Sequence, residues 1–224
     1  MRILAFDTSL SGCSAAFYDG EVRAFEIEPM ERGQAEQLVP MIGRVLEKSG
    51  AEYASIEKIV TTVGPGAFTG LRIGLSTARA LGLALGVAVV GVNTLDVIAR
   101  KFLDDDGLQA DETLCVLLDT RRSDFYTQFH DANGGGMEML EAAEIERQAA
   151  GRRIVFIGDA LDRFRALCPA RPEWRFVTEY ELPDPRLIAA MSASGAATLP
   201  PEPLYLRGAD VSQSKKKTIV IQKS

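Results

Sequence analysis

The chain comes close to repeating itself, and that limits what it can fold into more than any other feature. "LAFDTSLSGCSAAFYDG" near the start and "VLLDTRRSDFYTQFHDANG" in the middle share Asp7 and Asp119, Thr8 and Thr120, Phe17 and Phe129, and Asp19 and Asp131, each pair 112 residues apart. Four matches can arise by coincidence. Each falls in a strand, strand, turn series, however, so the constant offset predicts a duplicated lobe whose first strand ends on an aspartate.

The remaining pattern fits two such lobes. "RILAFD" reads as a buried strand, and "CSAAFYDGEVRAFEIE" as a hairpin turning at Asp19-Gly20. "GQAEQLVPMIGRVLEKSG" carries Leu38, Met41, Ile42, Val45 and Leu46 at helical spacing, with Gly50 as its stop. A strand ("EKIVTTV"), a helix over 69–86 and a strand ("VAVVGVN") follow, giving the order β-β-β-α-β-α-β. "DDDG" at 104–107 predicts a solvated linker. Beyond it "RRIVFIGDA" and "WRFVTE" read as strands and "DPRLIAAMSASGAAT" as a terminal helix. Two lobes, each with Asp ending its first strand, resemble the α/β actin, hexokinase and sugar-kinase (ASKHA) superfamily, built on ribonuclease H-like lobes. The expected division is 1–103, 104–208 and a basic tail over 209–224.

Bulk chemistry narrows the partners. A net charge of −6 offers no general attraction to a polyanion. The three cysteines, Cys13, Cys115 and Cys168, are odd in number and widely spaced, which indicates neither a disulfide framework nor a zinc site. No apolar run approaches the roughly 20 residues of a membrane span, so the expected location is cytoplasmic.

"GPGAFTGLRIGLSTARALGLALG", 64–86, begins like a phosphate loop but fails both common templates. Gly70 is followed by Leu71 and Arg72 rather than Lys and Ser or Thr, and Thr69 stands where a dinucleotide loop has its third glycine. The helix behind it is apolar around most of its circumference, its polar side chains being Arg72, Ser76, Thr77 and Arg79. An ordinary buried helix is one account. A helix that shares an apolar side with a partner is the other, with Gly70, Gly74, Gly82 and Gly86 permitting close approach.

With "ILAFDTS", that loop-helix block, "GVNTLD", "LLDTRRSDFY" and "PLYLR", residues 1–208 resemble the TsaB (YeaZ) family. Its members are the dimerisation subunits of the bacterial machinery that makes tRNA threonylcarbamoyladenosine, and paralogues of its catalytic subunit TsaD. The resemblance implies a non-catalytic scaffold. It would bind a TsaD-like subunit and, with a TsaE-type ATPase, support threonylcarbamoylation of the adenosine next to the anticodon. It also implies a homodimer as an option in isolation, tRNA contact only through the complex, and no membrane partner. The expected interface is Leu38, Met41, Ile42 and Val45 with Leu71, Leu75, Ala78 and Leu81.

The same comparison makes two absences informative. TsaD-like proteins carry a metal-binding His-x-x-x-His directly after Val-Asn, where i, i+4 spacing puts both imidazoles on one face. Here those positions are Thr94 and Ile98, and the single histidine, His130, lies in the second hairpin, so no metal is expected. Asp7, Thr8, Ser9, Gly64 and Gly66 are left as a vestigial phosphate site. In the second lobe Asp119 is followed by bulky Arg121 and Arg122, and "FIGDA" offers only Gly158. The arginines are read as solvated or salt-bridged, with contact to a partner's nucleotide as the alternative. The chain is expected to hold no nucleotide tightly, ATP or ADP belonging to the junction of the complex. The runner-up is an independent ATPase or phosphotransferase of the actin-like superfamily. A metallopeptidase lacks the residues it would need.

Overall fold

The computed structural model describes residues 1–130, 135–169, 171–195, 198–204 and 206. Asp131, Tyr205, Arg207 and the tail 209–224 lie outside the described residues. Two five-stranded sheets are built the same way. The first contains β1 (Arg2–Asp7), β2 (Gly12–Asp19), β3 (Glu21–Pro29), β4 (Lys58–Gly64) and β5 (Ala88–Asn93), in spatial order β3-β2-β1-β4-β5. The second contains β6 (Glu112–Asp119), β7 (Asp124–His130), β8 (Met137–Glu141), β9 (Arg153–Ile157) and β10 (Trp174–Phe176), in order β8-β7-β6-β9-β10. In both, the first three strands are antiparallel and the last two run parallel to the first. The duplicated ribonuclease H-like lobe of the actin-like superfamily is therefore present twice.

Helices cover the sheets because strand side chains alternate between faces. Leu4 and Phe6 of β1 face α1 (Gln34–Ser49) and α2 (Phe68–Leu85) in one core cluster. In the second lobe Cys115 and Leu117 face α4 (Ala142–Ala149) and α5 (Leu161–Leu167). Between the lobes runs α3 (Thr94–Asp105). Its Val97 packs against the first sheet, while Ile98, Ala99 and Phe102 pack against Leu114, Val116 and Leu118 of the second. The acidic stretch expected to form a linker at 104–107 is shorter than that, because α3 runs through Asp105. Asn93 caps α3 by accepting from the Leu95 N–H at 2.8 Å.

The C-terminal part returns to the first lobe. Helix α6 (Pro185–Ala193) places Ile188 and Ala189 against Ile3, Ala5 and Val60. Leu199 then exchanges both backbone hydrogen bonds with Gly91 at 2.8 Å, and the Leu204 N–H donates to Val63 O at 2.7 Å.

The 112-residue sequence offset and the spatial duplication differ by one position. Phe17 pairs with Leu4, whereas Phe129 pairs with Cys115 rather than Val116. Asp7 pairs with Ser14 and Asp119 with Phe125, so the second turn is one residue shorter between paired ends. A one-residue slip moves a side chain to the other face of a sheet. Asp7 accordingly shares its face with Ile3 and Ala5, away from α1 and α2, while Asp119 shares its face with Cys115 and Leu117 and points to α5.

Candidate functional site

The loop that opens α2 is clamped on one side onto the turn after β1 and borders the cavity between the lobes on the other. The Ala67 N–H donates to Ser9 O at 2.7 Å, and the Thr8 hydroxyl donates to Gly70 O at 2.7 Å. A Cβ at Gly66 would lie 2.4 Å from Ser9 O, and one at Gly70 only 2.0 Å from Thr8 O. These glycines are needed because two backbones touch. Further along α2, a Cβ at Gly82 would meet Val89 of β5 at 2.3 Å. The close approach expected of these glycines is thus made within the chain itself, by Gly70 to the turn after β1, by Gly74 to Thr8 and Thr61 and by Gly82 to β5, and Gly86 serves as the left-handed cap of α2 with φ 69°.

Asp7, Thr8 and Ser9 are buried beneath this clamp. The Asp7 carboxylate accepts from the Ser9 N–H at 3.1 Å and from the Thr62 hydroxyl, and no described cation forms an ion pair with it. Burial pushes its pKa above the usual carboxylate value, and the hydrogen bonds only partly oppose that. Of the five residues assigned to the vestigial phosphate site, Gly66 alone lines the large cavity between the lobes; Gly64, also buried, lies against Leu204.

That cavity has a volume of about 1200 Å³. One wall is the entry to α1 and the loop and first turn of α2, including Phe68, whose ring lies 3.7 Å beneath the Arg72 guanidinium. The opposite wall is the loop 119–124 with Tyr126, Met139 and Asp159. Here Asp119 is neutralised internally: Arg163 of α5 forms an ion pair with its carboxylate, donates to Asp124 O at 2.9 Å and lies 4.0 Å over the Phe125 ring. Arg121, at φ 59° and largely exposed, adds a looser pair with Asp119 at 3.7 Å. The Asp119 N–H donates to Asp159 at 2.8 Å, and burial pushes the Asp159 pKa up to about 6. Gly158 is held against β6, where a Cβ would come within 2.0 Å of Leu117 O. Arg163 fixes this loop, and residue spacing gave no signal for it.

The expected interface residues belong to the chain's own core. Leu38, Met41, Ile42, Val45 and Ala78 are fully buried, Leu71 and Leu75 nearly so, and Leu81 packs partly buried on the same cluster. The physical reason is that a helix apolar on nearly every side must still lay its best stripe on its own sheet. What α1 and α2 present outward is a different set: Val39 (52% exposed), Phe68 (53%) and Leu83 (87%), beside exposed Pro40, Ala80 and Ala84. Single exposed apolar residues are ordinary, and these stand on two helices that pack side by side.

At the position compared with a histidine pair, Thr94 and Ile98 are both fully buried at the start of α3. His130 ends β7 in the second lobe. Among the described residues no group of three or more His, Cys, Asp or Glu side chains could hold a metal ion, and no helix is long and apolar enough to cross a membrane. All three cysteines are free and buried.

Comparison with known proteins covers most of the chain. The family model described as "TsaD: tRNA N6-adenosine threonylcarbamoyltransferase" matches residues 28–223. The tRNA threonylcarbamoyladenosine biosynthesis protein TsaB of Escherichia coli K12 is 35% identical over 146 residues, which is 64% of this chain and 61% of that protein. Its namesake in Bacillus subtilis 168 is 28% identical over 141 residues, 62% of this chain and 59% of that protein. The chain thus spans about three-fifths of the length of these curated relatives. A crystal structure from Pseudomonas aeruginosa, described as an uncharacterized protein with similarity to peptidase YEAZ, superposes with a TM-score of 0.73 at 25% identity, covering 92% of this chain and 99% of that one.

Proposed function

Because the chain belongs to the TsaD family of tRNA N6-adenosine threonylcarbamoyltransferases, within its TsaB/YeaZ branch, we propose that it is a non-catalytic subunit of the tRNA-modifying assembly. It docks on a TsaD-like transferase through the outward face of α1 and α2 and so supports threonylcarbamoylation of the adenosine next to the anticodon. The observation that carries this reading is the exposure of large apolar side chains on both helices, Val39 on α1 and Leu83 on α2. Two features support a supporting rather than a chemical role. Asp7 is buried and outside the cavity lining, and Asp119, which lines the cavity, is already paired with Arg163. In this reading ATP or ADP belongs to the junction with the partner, a TsaE-type ATPase joins the assembly, and tRNA is met through the complex. The same face serves a homodimer when the partner is absent.

Light scattering on a sizing column, with the chain alone and mixed with the TsaD-like protein of the same organism, tests the assignment. A one-to-one complex is expected. Leu83→Glu removes one apolar anchor worth about 1.5–3 kcal/mol when buried, so association weakens roughly tenfold to a hundredfold while the fold stays intact. Leu75→Glu is unsuitable here, because Leu75 is only 2% exposed and its loss would unfold the lobe. A complex that survives both Leu83→Glu and Val39→Glu unchanged would show that the partner binds elsewhere.

A further inference from the structure

Helices α1 and α2 run the same way, because each joins two strands parallel to β1, and the first turn of each borders the interlobe cavity. Each turns a four-residue stripe outward, and both stripes have the same 4-3-4 spacing, which keeps residues on one side of a helix. On α1 the stripe is Glu36, Pro40, Gly43 and Glu47; on α2 it is Arg72, Ser76, Arg79 and Leu83. All are exposed except half-buried Gly43.

Charge is sorted by helix. The α1 stripe holds two carboxylates and no cation, and the α2 stripe holds two guanidiniums and no carboxylate. None of these four groups has an ion pair among the described residues, although most of the described arginines and lysines do. The other cations of α1, Arg44 and Lys48, are turned to Glu26 of β3. Ahead of α1, Glu31 and Arg32 stand side by side with opposite signs. Arg72 is held over the Phe68 ring, and Arg79 uses Nε and Nη2 on Pro201 O, which leaves donors for a carboxylate.

We propose that this face receives a second copy of the chain in one orientation, α1 of each copy lying over α2 of the other about a two-fold axis that runs along the helices. Glu36 is the third residue of α1 and Arg72 the fifth of α2; Glu47 is the fourteenth and Arg79 the twelfth. Helices that start level at the cavity therefore bring each of these pairs to within about 3 Å of register, inside the reach of such side chains. Glu36 meets Arg72 of the second copy, Glu47 meets Arg79, and symmetry repeats both contacts. Laying α1 over α1 instead opposes carboxylate to carboxylate and guanidinium to guanidinium, which selects against that arrangement. The axis also leaves both cavities opening on the same side of the dimer. This inference deepens the homodimer part of the proposed function and rests on the α1–α2 face being the docking face.

Sedimentation velocity on the full chain at about 1–100 µM tests it. The parent chain should form a dimer that weakens about tenfold between low and high salt. Glu36→Lys with Glu47→Lys makes both stripes basic, and Arg72→Glu with Arg79→Glu makes both acidic. Each double variant should stay monomeric with unchanged circular dichroism, and an equal mixture of the two should regain a dimer within about threefold of the parent affinity. Ser76→Glu takes the place of Arg79→Glu in the acidic variant if loss of the Pro201 contact unfolds it. A parent chain that is monomeric throughout overturns the proposal, as does a dimer that survives either double reversal or a mixture that fails to associate. If the chain stays monomeric while Leu83→Glu weakens its complex with the TsaD-like protein, the pairing is overturned and the docking reading stands. If the mixture associates as expected while Leu83→Glu leaves that complex unchanged, the pairing stands and the transferase binds elsewhere.

Discussion

Replacing Gly70 by Ala tests whether the α2 loop is a clamp or a ligand loop. The new Cβ would lie 2.0 Å from Thr8 O, against an ordinary contact of about 3.4 Å, so the two backbones must separate by roughly 1.4 Å. That separation breaks two hydrogen bonds, Ala67 N–H to Ser9 O and Thr8 hydroxyl to Gly70 O, both 2.7 Å. At about 1 kcal/mol each they cost about 2 kcal/mol, and residual overpacking adds about 1–3 kcal/mol. The better helix propensity of Ala returns up to about 1 kcal/mol, leaving a net loss of about 2–4 kcal/mol. For a chain of this size that is a fall in Tm of roughly 5–15 °C, read by circular dichroism and checked by urea unfolding. Gly86→Ala is the control: its φ of 69° makes it costly, but open space around it keeps the loss near 1 kcal/mol. If Gly70→Ala is as stable as the parent chain, the clamp reasoning fails, and the glycine must be explained by something that approaches the loop from outside.

Two carboxylates give pH-resolved predictions. Burial raises the folded pKa of Asp7 above the ordinary carboxylate value, so the folded state favours the protonated form; that stability is present below the unfolded pKa and is lost as pH rises through the folded one. Asp7→Asn should therefore gain stability relative to the parent chain as pH climbs from 4 toward neutrality, measured by urea unfolding at several pH values; a difference that does not change with pH would refute the burial argument. For Asp159, a carbon-detected titration should give a midpoint near 6, and Arg121→Ala should move it upward because that guanidinium favours the ionised form. A midpoint unmoved by Arg121→Ala would mean the arginine does not act on the site.

What the sequence determined was the plan. The repeated Asp-Thr pair, the alternation in "CSAAFYDGEVRAFEIE" and the helical spacing in 34–49 and 69–86 are local signals, and local signals survive in a one-dimensional reading. Gly20, with φ 71°, turns the first hairpin where Asp19-Gly20 indicated. Short α4 and α5, of eight and seven residues, carry too few turns for a period to show, and they were not anticipated. The missing histidine pair, replaced by Thr94 and Ile98, was equally legible, because an absent side chain needs no geometry.

The tertiary structure decided which side of each element faces what. An all-round apolar α2 reads the same from any direction, and only the sheet behind it determined that Leu71, Leu75 and Ala78 go inward while Phe68 and Leu83 stay out. The two aspartates align in sequence, yet a turn shortened by one residue sends Asp7 and Asp119 to opposite faces of equivalent sheets. Arg163, 44 residues from Asp119, became its counter-ion through folding alone. Periodicity records how a segment alternates; the phase of that alternation relative to the rest of the chain is set by long-range packing, and in this protein the phase separates a fully buried strand end from one beside the cavity and a core stripe from an exposed one.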